Sequence, residues 1–412
     1  MTSVRTIFLR ASEILTGPLS AQTRSNVITE MLSSVAYGPF NAALLFVPVV
    51  LERMGATPEL VAIYQSQAYI GLFLAAFSVM LIPRKKVLLF LAIIWSIGRG
   101  AFILVGFVQG ATGLLLLAAV FWLCDGFPGA AYMDVVRRVY PADVRGRALS
   151  VVRLGMVVAM LVSTPVLGLL LDHGGPQVVF PIAGVLGIVS AWMYTRMKLS
   201  KSNESVMASN QSVVDLWRVL RNDRRFAVYL LSIVCFGMGG LVGIAFYPQV
   251  LVDRLQLSYS SVSLLGFAQS ISWVLGLLVW GRLVDRLGGP WVGYICFGLS
   301  VVIPLSYIWA SAGWMMLPSF IVSGLISGGV DLAFTNSAID LAEPGKIYEY
   351  AALQRTVIGF RGLIGPFVGV WLYGIGLPIS AVFVLGAVFY ILAALLLSRG
   401  EFKRQPTRKA SA

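Results

Sequence analysis

Charged residues are scarce in this sequence, and so are the residues from which most enzymes build their active sites. Only 12% of the 412 residues are charged, and the chain has three cysteines and a single histidine, His173. So few charged groups leave too little polar surface to cover a water-soluble globule of this length. One histidine excludes a metal cluster built on several histidines and argues against a histidine-based catalytic triad.

The sequence also lacks the short motifs of nucleotide-driven and hydrolytic proteins. No G-x-x-x-x-G-K-[ST] loop occurs, so nothing in the chain points to ATP as a driving force, and neither H-E-x-x-H nor G-x-S-x-G is found. Cys124, Cys235 and Cys296 fall inside apolar runs, where hydrophobic packing explains them better than disulfides or metal ligands do. We therefore expect a protein that is not an enzyme, with no cofactor and no metal site.

Long apolar runs are what the sequence has in abundance. Hydrophobic residues make up 58% of the chain, and the mean hydropathy is +0.85. Each run is about 20 residues long, enough to cross about 30 Å of hydrocarbon as a helix, whereas a β-barrel would show short alternating segments. We predict an all-α integral membrane protein with twelve transmembrane helices, at residues 27–51, 60–81, 87–108, 113–136, 148–171, 178–197, 226–252, 262–283, 291–311, 314–341, 350–373 and 377–397.

The spans fall into two sets of six around one long polar stretch. We predict a cytoplasmic amino tail (1–26), a first six-helix bundle (27–197), a central cytoplasmic loop (198–225), a second six-helix bundle (226–397) and a cytoplasmic carboxyl tail (398–412). The halves also match at offsets near 200 residues, at Pro141 and Pro344, Arg153 and Arg355, Pro165 and Pro366, and Gly168 and Gly369. Such matches seldom arise by chance, so we expect two pseudo-symmetric halves.

The net charge of +13 could indicate a nucleic-acid partner, but the positions of the charges indicate a membrane orientation instead. About 25 of the 31 Lys and Arg residues fall on one side of the predicted topology, in the tails, the central loop and the loops on that side. Cytoplasmic segments of membrane proteins carry this excess. We therefore predict a multi-pass protein of the cell membrane, plasma or inner, with both termini cytoplasmic, lipid around it and no nucleic-acid partner.

Two loop motifs indicate a family. Residues 281–289 read G-R-L-V-D-R-L-G-G, and residues 141–148 read P-A-D-V-R-G-R-A. Together with the twelve spans and the repeat between the halves, they resemble the G-x-x-x-D-R-x-G signature and the loop between spans 4 and 5 of the major facilitator superfamily (MFS) of secondary transporters. The resemblance implies a monomer whose two six-helix halves rock around a midplane site.

The signature resemblance implies a gating role for Gly281, Asp285, Arg286 and Gly288. A carboxylate beside a helix amino terminus meets unpaired amides and a partial positive charge, so Asp285 is a candidate latch between the halves. A plain basic loop that only orients the helices is the alternative. The corresponding loop of the first half, at residues 82–86, contains neither Asp nor Gly.

Four ionisable residues lie deep inside predicted spans: Asp125, Arg99, Asp331 and Arg361. A charge at mid-bilayer costs at least about 2.5–3.5 kcal/mol on insertion scales, so each needs a reason. Equal depth on neighbouring helices predicts one buried ion pair in each half, Asp125 with Arg99 and Asp331 with Arg361. Either pair could be structural. We favour that explanation for Arg99, and proton coupling for the second pair, with Arg361 as partner or anion contact.

Polar residues also follow one face of several spans. Span 1 carries Glu30, Ser34, Tyr37 and Asn41 at steps of four, three and four, span 10 carries Ser323, Ser327, Asp331 and Thr335 at steps of four, and span 7 carries Tyr247. In lipid such faces must contact protein or water, so they line a cavity or bond helix to helix. Glu30 lies near the inside end of its span, where local pairing or snorkelling is expected rather than proton transport.

These features predict a secondary active transporter of a small organic molecule, coupled to protons and working by alternating access, with export favoured over import. Asp331 and Asp125 are the predicted proton carriers. The alternative is a membrane receptor or sensor with a transporter fold that binds a small molecule without moving it. Retention of costly charges in the spans favours transport.

Overall fold

The computed structural model describes residues 19–78, 86–141, 144–199, 221–343 and 346–399. Most of the predicted tails and of the central loop lie outside these residues, as do Pro344 and most of the loop at 82–86. All regular secondary structure in the described ranges is helical, which confirms the predicted all-α class. Contacts divide the chain into two compact units, Met1–Met207 with Ser258–Leu264, and Ala208–Leu257 with Leu265–Ala412.

The helices before the central loop build most of the first unit. They are α1 (Ala21–Leu44), α2 (Val47–Arg53), α3 (Pro58–Ser78), α4 (Val87–Ala101, continued by a 3₁₀ segment Phe102–Phe107), α5 (Ala111–Gly126), α6 (Gly129–Val139), α7 (Arg145–Gly174) and α8 (Pro176–Tyr194). Helix α1 packs mainly against α7 and α8. Phe40, Phe102 and Phe121 are fully buried and meet in edge-on and tilted contacts, so α1, α4 and α5 share one aromatic core.

The helices after the central loop build most of the second unit. They are α9 (Arg224–Leu241), a single turn at Tyr247–Gln249 with a π-helical turn at Val250–Arg254, α10 (Tyr259–Leu287), α11 (Gly289–Leu299), α12 (Val302–Trp309), a 3₁₀ segment at Gly313–Met316, α13 (Leu317–Leu341), α14 (Ile347–Gly374) and α15 (Ile379–Arg399). Helix α9 packs mainly against α15, and α11 packs against α13. The core of this unit is apolar and includes Phe226, Ile233 and Phe297.

Each predicted transmembrane span contains helix in its described part. Ten helical stretches of the described chain are long and apolar enough to cross a membrane, and α5 with α6 forms a further, broken stretch. Helix α3 occupies the remaining predicted span as far as Ser78, the last described residue before the gap. The twelve-helix prediction is therefore consistent with the observed architecture.

Several spans are broken where the sequence analysis predicted continuous helix. The predicted span 226–252 contains α9, which ends at Leu241, and then the separate turns around Pro248. Proline cannot donate the backbone hydrogen bond that a helix interior requires. Pro128 lies in the break between α5 and α6, and Pro48 lies in the first turn of α2, just after the break from α1.

The signature segment forms the turn from α10 into α11. Gly288 has φ +85°, a conformation that glycine adopts without strain, and Gly281 has open space where a side chain would lie. Asp285 and Arg286 are exposed. The carboxylate that reaches the amino terminus of α11 belongs to Asp340, whose Oδ2 lies 3.5 Å from the Gly289 amide nitrogen. The latch role of Asp285 stays a prediction.

A glycine allows α1 and α7 to approach closely. A Cβ atom on Gly38 would lie 2.5 Å from the Ala159 Cβ and 3.2 Å from backbone atoms of Met156 and Met160. Real Cβ atoms do not come this close, so the two backbones could not keep their spacing around a larger residue. Small residues at such crossings are typical of helix packing in membranes.

We expect Gly38→Ala to lower the melting temperature of the detergent-solubilised protein by several degrees, because forcing a methyl group into a packed interface costs about 1–3 kcal/mol. Gly298→Ala is the matched control, since no atom lies within 4 Å of its added Cβ. Thermal melts of the two variants against the parent protein test this. Equal melting temperatures for both variants would contradict the packing role of Gly38.

Candidate functional site

The first unit contains a cavity of about 330 Å³, here called the first cavity. Its lining comes from α1, α4, α5, α6 and α8 and the break between α5 and α6, and combines ionisable, hydroxyl and aromatic groups: Glu30, Ser33, Ser34, Tyr37, Trp95, Arg99, Asp125, Pro128, Gly129, Tyr132, Ser190 and Tyr194. The polar stripe predicted on span 1 therefore faces a cavity at Glu30, Ser34 and Tyr37.

Arg99 forms the positive end of the first cavity. Its side chain is only 6% exposed, and Nη1 donates to the Gly187 carbonyl at 3.1 Å and to Ser190 Oγ at 3.3 Å. The guanidinium carbon lies 4.3 Å from the ring centre of Tyr37 and 5.0 Å from that of Trp95. Aromatic faces stabilise a cation, most strongly where water is excluded. Arg99 is thus held by neutral groups, in a fixed position.

Asp125 faces the same cavity without forming the predicted direct ion pair. In the described part of the chain, no Arg99 nitrogen lies within 4 Å of the Asp125 carboxylate, although the two groups are within electrostatic range. The Tyr37 ring stacks on the guanidinium face, and the Tyr37 hydroxyl is also within electrostatic range of Asp125. The prediction of a closed pair was wrong because depth along two helices does not fix their rotation.

Glu30 forms the negative end of the first cavity. It is 3% exposed and accepts hydrogen bonds from the Tyr132 hydroxyl at 3.1 Å and from the Tyr140 hydroxyl. Hydrogen bonds to an ionised carboxylate are roughly twice as strong as neutral ones. Tyr140 is itself held at the end of α6, because its carbonyl accepts from Arg145 Nε and Nη2 at 3.3 and 3.1 Å. Glu30 is therefore held locally by two tyrosine hydroxyls.

Three aromatic rings connect the two ends of the cavity. The ring centres of Trp95 and Tyr194 lie 5.2 Å apart, those of Trp95 and Tyr132 lie 6.2 Å apart, and those of Tyr132 and Tyr194 lie 6.3 Å apart. Trp95 also contacts Arg99, and Tyr132 also binds Glu30. We call these three rings the aromatic wall. It joins a fixed cation to a fixed carboxylate.

The second unit contains a further polar cavity, of about 290 Å³, here called the second cavity. It is lined by groups from α9, α10, α12, α13 and α15 and from the break between α11 and α12: Phe236, Trp273, Ser300, Ile303, Ser323, Ile326, Ser327, Val330, Asp331 and Tyr390. The predicted burial of Asp331 was wrong, because Asp331, Ser327 and Thr335 are all exposed. The packed face of α13 instead carries Gly324 and Gly328, which lie against α10. The polar stripe of span 10 therefore faces open space at this cavity.

Arg361 lies outside the lining of the second cavity. Its Nη1 donates to the Ile233 carbonyl, and its guanidinium carbon lies 5.9 Å from the ring centres of both Phe236 and Phe334. A Cβ atom on Gly237 would overlap this guanidinium group, so the position of Arg361 requires a glycine there. As in the first unit, backbone and aromatic groups hold a cation inside a span.

Two predicted site residues lie away from both cavities. Asn41 donates to Met160 Sδ at 3.0 Å, and the Tyr247 ring stacks on Tyr307 with the ring centres 4.2 Å apart and lies 5.5 Å from Phe383. Sequence reasoning missed Trp95, Ser190, Tyr194 and Tyr140. The spacing of four residues from Trp95 to Arg99, and from Ser190 to Tyr194, is the signal that could have placed these groups on shared faces.

Comparison with known proteins decides the family. The family model described as "Major Facilitator Superfamily" matches residues 31–247 and 239–412, nearly the whole chain. The chain belongs to the major facilitator superfamily. This confirms the resemblance drawn from the signature segment. It also identifies the chain as a multi-pass membrane protein of a family of transporters.

Curated relatives and solved structures agree with this assignment. A "Quinolone resistance transporter" of Acinetobacter baumannii is 24% identical over 330 residues, 70% of this chain and 71% of that protein. "Multidrug resistance protein MdtG" of Proteus mirabilis (strain HI4320) is 24% identical over 383 residues, 87% of this chain and 89% of that protein.

Among solved structures, a mutant form of the nucleoside transporter NupG superposes with a TM-score of 0.74 at 14% identity, covering 93% of this chain and 100% of its own. An inward-facing bacterial homologue of the human lysosomal transporter Spinster superposes with a TM-score of 0.65 at 14% identity, covering 94% and 100%. At such low identity these likenesses establish the MFS fold and nothing about the substrate.

We expect Tyr140→Phe to destabilise the protein, because the substitution removes the buried hydroxyl that donates to one carboxylate oxygen of Glu30. The expected loss in the free energy of unfolding is about 1–3 kcal/mol. Thermal melts in detergent measure the effect as a lower melting temperature. Tyr373→Phe is the control, since that side chain is 42% exposed. A Tyr140→Phe variant as stable as the control would show that the Glu30–Tyr140 hydrogen bond contributes nothing to the fold.

Proposed function

We propose that this protein is a secondary active transporter that moves a small organic molecule across the cell membrane by alternating access, coupled to protons. The observation that carries the proposal is Asp331, an exposed carboxylate on a polar face of a membrane-spanning helix. Within a bilayer, such a face contacts a water-filled space or protein and not lipid. A carboxylate reached by water can take up and release a proton.

The first cavity supports small-molecule binding. Its volume of about 330 Å³ is at the lower end of the range for ligand pockets, and it offers a few fixed polar groups among aromatic rings. Asp125 is a second candidate proton carrier, because it faces this cavity and the described structure gives it no direct cation partner. Glu30 is a weaker candidate, since two tyrosine hydroxyls already bind its carboxylate.

Export is the direction we propose. The two curated relatives are named for resistance to quinolones and to multiple drugs, and resistance conferred by a transporter requires movement out of the cell. The orientation with both termini in the cytoplasm rests on the excess of Lys and Arg in the segments assigned to that side.

Single cysteines test the orientation. In a background without the three native cysteines, Ser205→Cys in the central loop is expected to react with a membrane-impermeant maleimide only after the cells are opened, because the loop is assigned to the cytoplasm. A cysteine at Thr57, between α2 and α3, is the matched outside position and is expected to react in intact cells. The reverse labelling pattern would show an inverted topology.

We expect Asp331→Asn to abolish transport driven by a pH gradient while leaving ligand affinity unchanged, because Asn cannot carry the proton and Asp331 does not line the first cavity. A ligand found by a thermal-shift screen is assayed in proteoliposomes with and without an imposed gradient. Glu343→Gln is the control, since that exposed carboxylate pairs with Lys346 outside the spans.

Each outcome of this assay separates the candidate functions. Gradient-dependent flux in Asp331→Asn equal to the parent's would remove Asp331 as a proton carrier. Ligand binding by the parent protein without any flux, with or without a gradient, would favour the receptor with a transporter fold over the transporter.

A further inference from the structure

We propose that the first cavity selects a zwitterion with an aromatic ring, with its anionic group at Arg99, its cationic group at Glu30 and its ring against the aromatic wall. This inference deepens the proposed function and rests on it, because it names the chemical class of the molecule that the transporter moves. It concerns groups of the first unit only.

The positive end of the cavity has hydrogen-bond donors that the protein does not use. Arg99 Nη1 donates to the Gly187 carbonyl and to Ser190 Oγ, whereas Arg99 Nε is buried without a hydrogen-bond partner among the described residues. The Nε and Nη2 groups lie along one edge of the planar guanidinium, and that edge matches the two oxygens of a carboxylate. A planar anion would therefore complete the hydrogen bonding of Arg99.

Tyr194 supplies a second unused donor at the same cavity. It is 2% exposed, its ring forms part of the aromatic wall, and its hydroxyl is buried with no partner in the described structure. Twelve buried side-chain atoms of the described residues have no hydrogen-bond partner, and two of them, Arg99 Nε and the Tyr194 hydroxyl, belong to the lining of this one cavity. Buried polar groups usually have partners, so a ligand that carries acceptors would satisfy both. Arg99 and Tyr194 are both more than nine-tenths buried, which excludes ordinary surface solvation as the explanation.

The negative end has a charge that neutral groups alone hold. The donors to Glu30 are the phenol hydroxyls of Tyr132 and Tyr140, and no cation contacts its carboxylate within the described residues. Arg153 is the cation within electrostatic range of Tyr132. A ligand ammonium would add the missing opposite charge, and the faces of Trp95 and Tyr132 would stabilise it further.

Both ends belong to one cavity, which Asp125 also lines. Asp125 is a proposed proton carrier, and with Asp125 protonated the lining holds one cation, Arg99, and one carboxylate, Glu30. A plain cation would leave the unused edge of Arg99 unpaired beside it, and a plain anion would leave Glu30 without a counter-charge. The rings between the two ends offer stacking surface to a flat ligand. A volume of about 330 Å³ accommodates one ring system with a charged group at each side.

A matched series of compounds tests the proposal. 4-(Aminomethyl)benzoate and 4-(2-aminoethyl)benzoate carry a ring between an amine and a carboxylate; each is compared with its methyl ester, which is only cationic, and its N-acetyl derivative, which is only anionic. Isothermal titration calorimetry on the detergent-solubilised protein measures the affinities. We expect the better zwitterion to bind at least about tenfold more tightly than either derivative, since each lost charge-assisted contact is worth that much.

Two variants assign the ends of the ligand. Glu30→Gln is expected to bind the zwitterion and its N-acetyl derivative equally, because the amine no longer meets a charge. Tyr194→Phe is expected to fold normally, since the lost hydroxyl has no partner among the described residues, and to reduce the preference for the zwitterion over its ester. Ester and zwitterion binding equally to the parent protein, no binding of either zwitterion, or unchanged preferences in both variants would overturn the proposal.

The calorimetry tests the substrate class and the flux assay tests transport, so either proposal can fail without the other. Selective zwitterion binding without gradient-driven flux would leave the cavity assignment intact and remove the proposed transport. Gradient-driven flux of a molecule of single charge, with no preference for zwitterions, would leave the transport intact and remove the assignment of the substrate class.

Discussion

The cost of placing a charge among apolar helices is the constraint on which the rest of this structure depends. Two arginines that lie within spans, Arg99 and Arg361, are held by similar contacts. Arg99 donates to a backbone carbonyl and stacks on Tyr37 and Trp95, and Arg361 donates to a backbone carbonyl and lies near the rings of Phe236 and Phe334. Neutral oxygens and aromatic faces help to stabilise a guanidinium inside a span. In the first unit neither Asp125 nor Glu30 forms a direct ion pair with Arg99 among the described residues, and both carboxylates face the cavity.

The internal repeat explains why the surroundings of Arg99 and Arg361 are similar but not equivalent. Ser33, Tyr37 and Gly38 match Ser232, Phe236 and Gly237, each 199 residues later, so the same ring position receives a guanidinium in both units. The arginine arrives from α4 in the first unit and from α14 in the second. Gly237 makes room for Arg361 directly, whereas Gly38 makes room for α7. The repeat therefore preserves the aromatic position that contacts the guanidinium, but the arginine lies on a different helix in each unit.

The sequence predicted what periodicity and hydropathy determine, and no more. Run lengths predicted ten spanning helices and the broken stretch of α5 with α6. Helical spacing predicted the cavity-facing positions Glu30 and Tyr37 and the placement of Asp125 near Arg99. The partners of Arg99 did not follow, because two helices of equal depth can rotate to present a ring or a carboxylate. The breaks in the spans were also missed, because hydropathy averages over many residues and proline alone does not locate a break. Four prolines lie inside continuous helices: Pro39, Pro165, Pro181 and Pro366.

In the proposed mechanism the two units have different tasks. Asp125 and Asp331 are related by 206 residues, as are Asp134 and Asp340, yet Asp125 faces a cavity with a fixed cation and an aromatic wall, while Asp331 is exposed among hydroxyl groups. A proton on Asp331 and a ligand in the first cavity would not compete for one group. They would influence each other only through differential affinity for the alternating states of the transporter. Coupling of this kind permits movement of the ligand against the proton, and it depends on retaining charges in both units at the cost that their burial imposes.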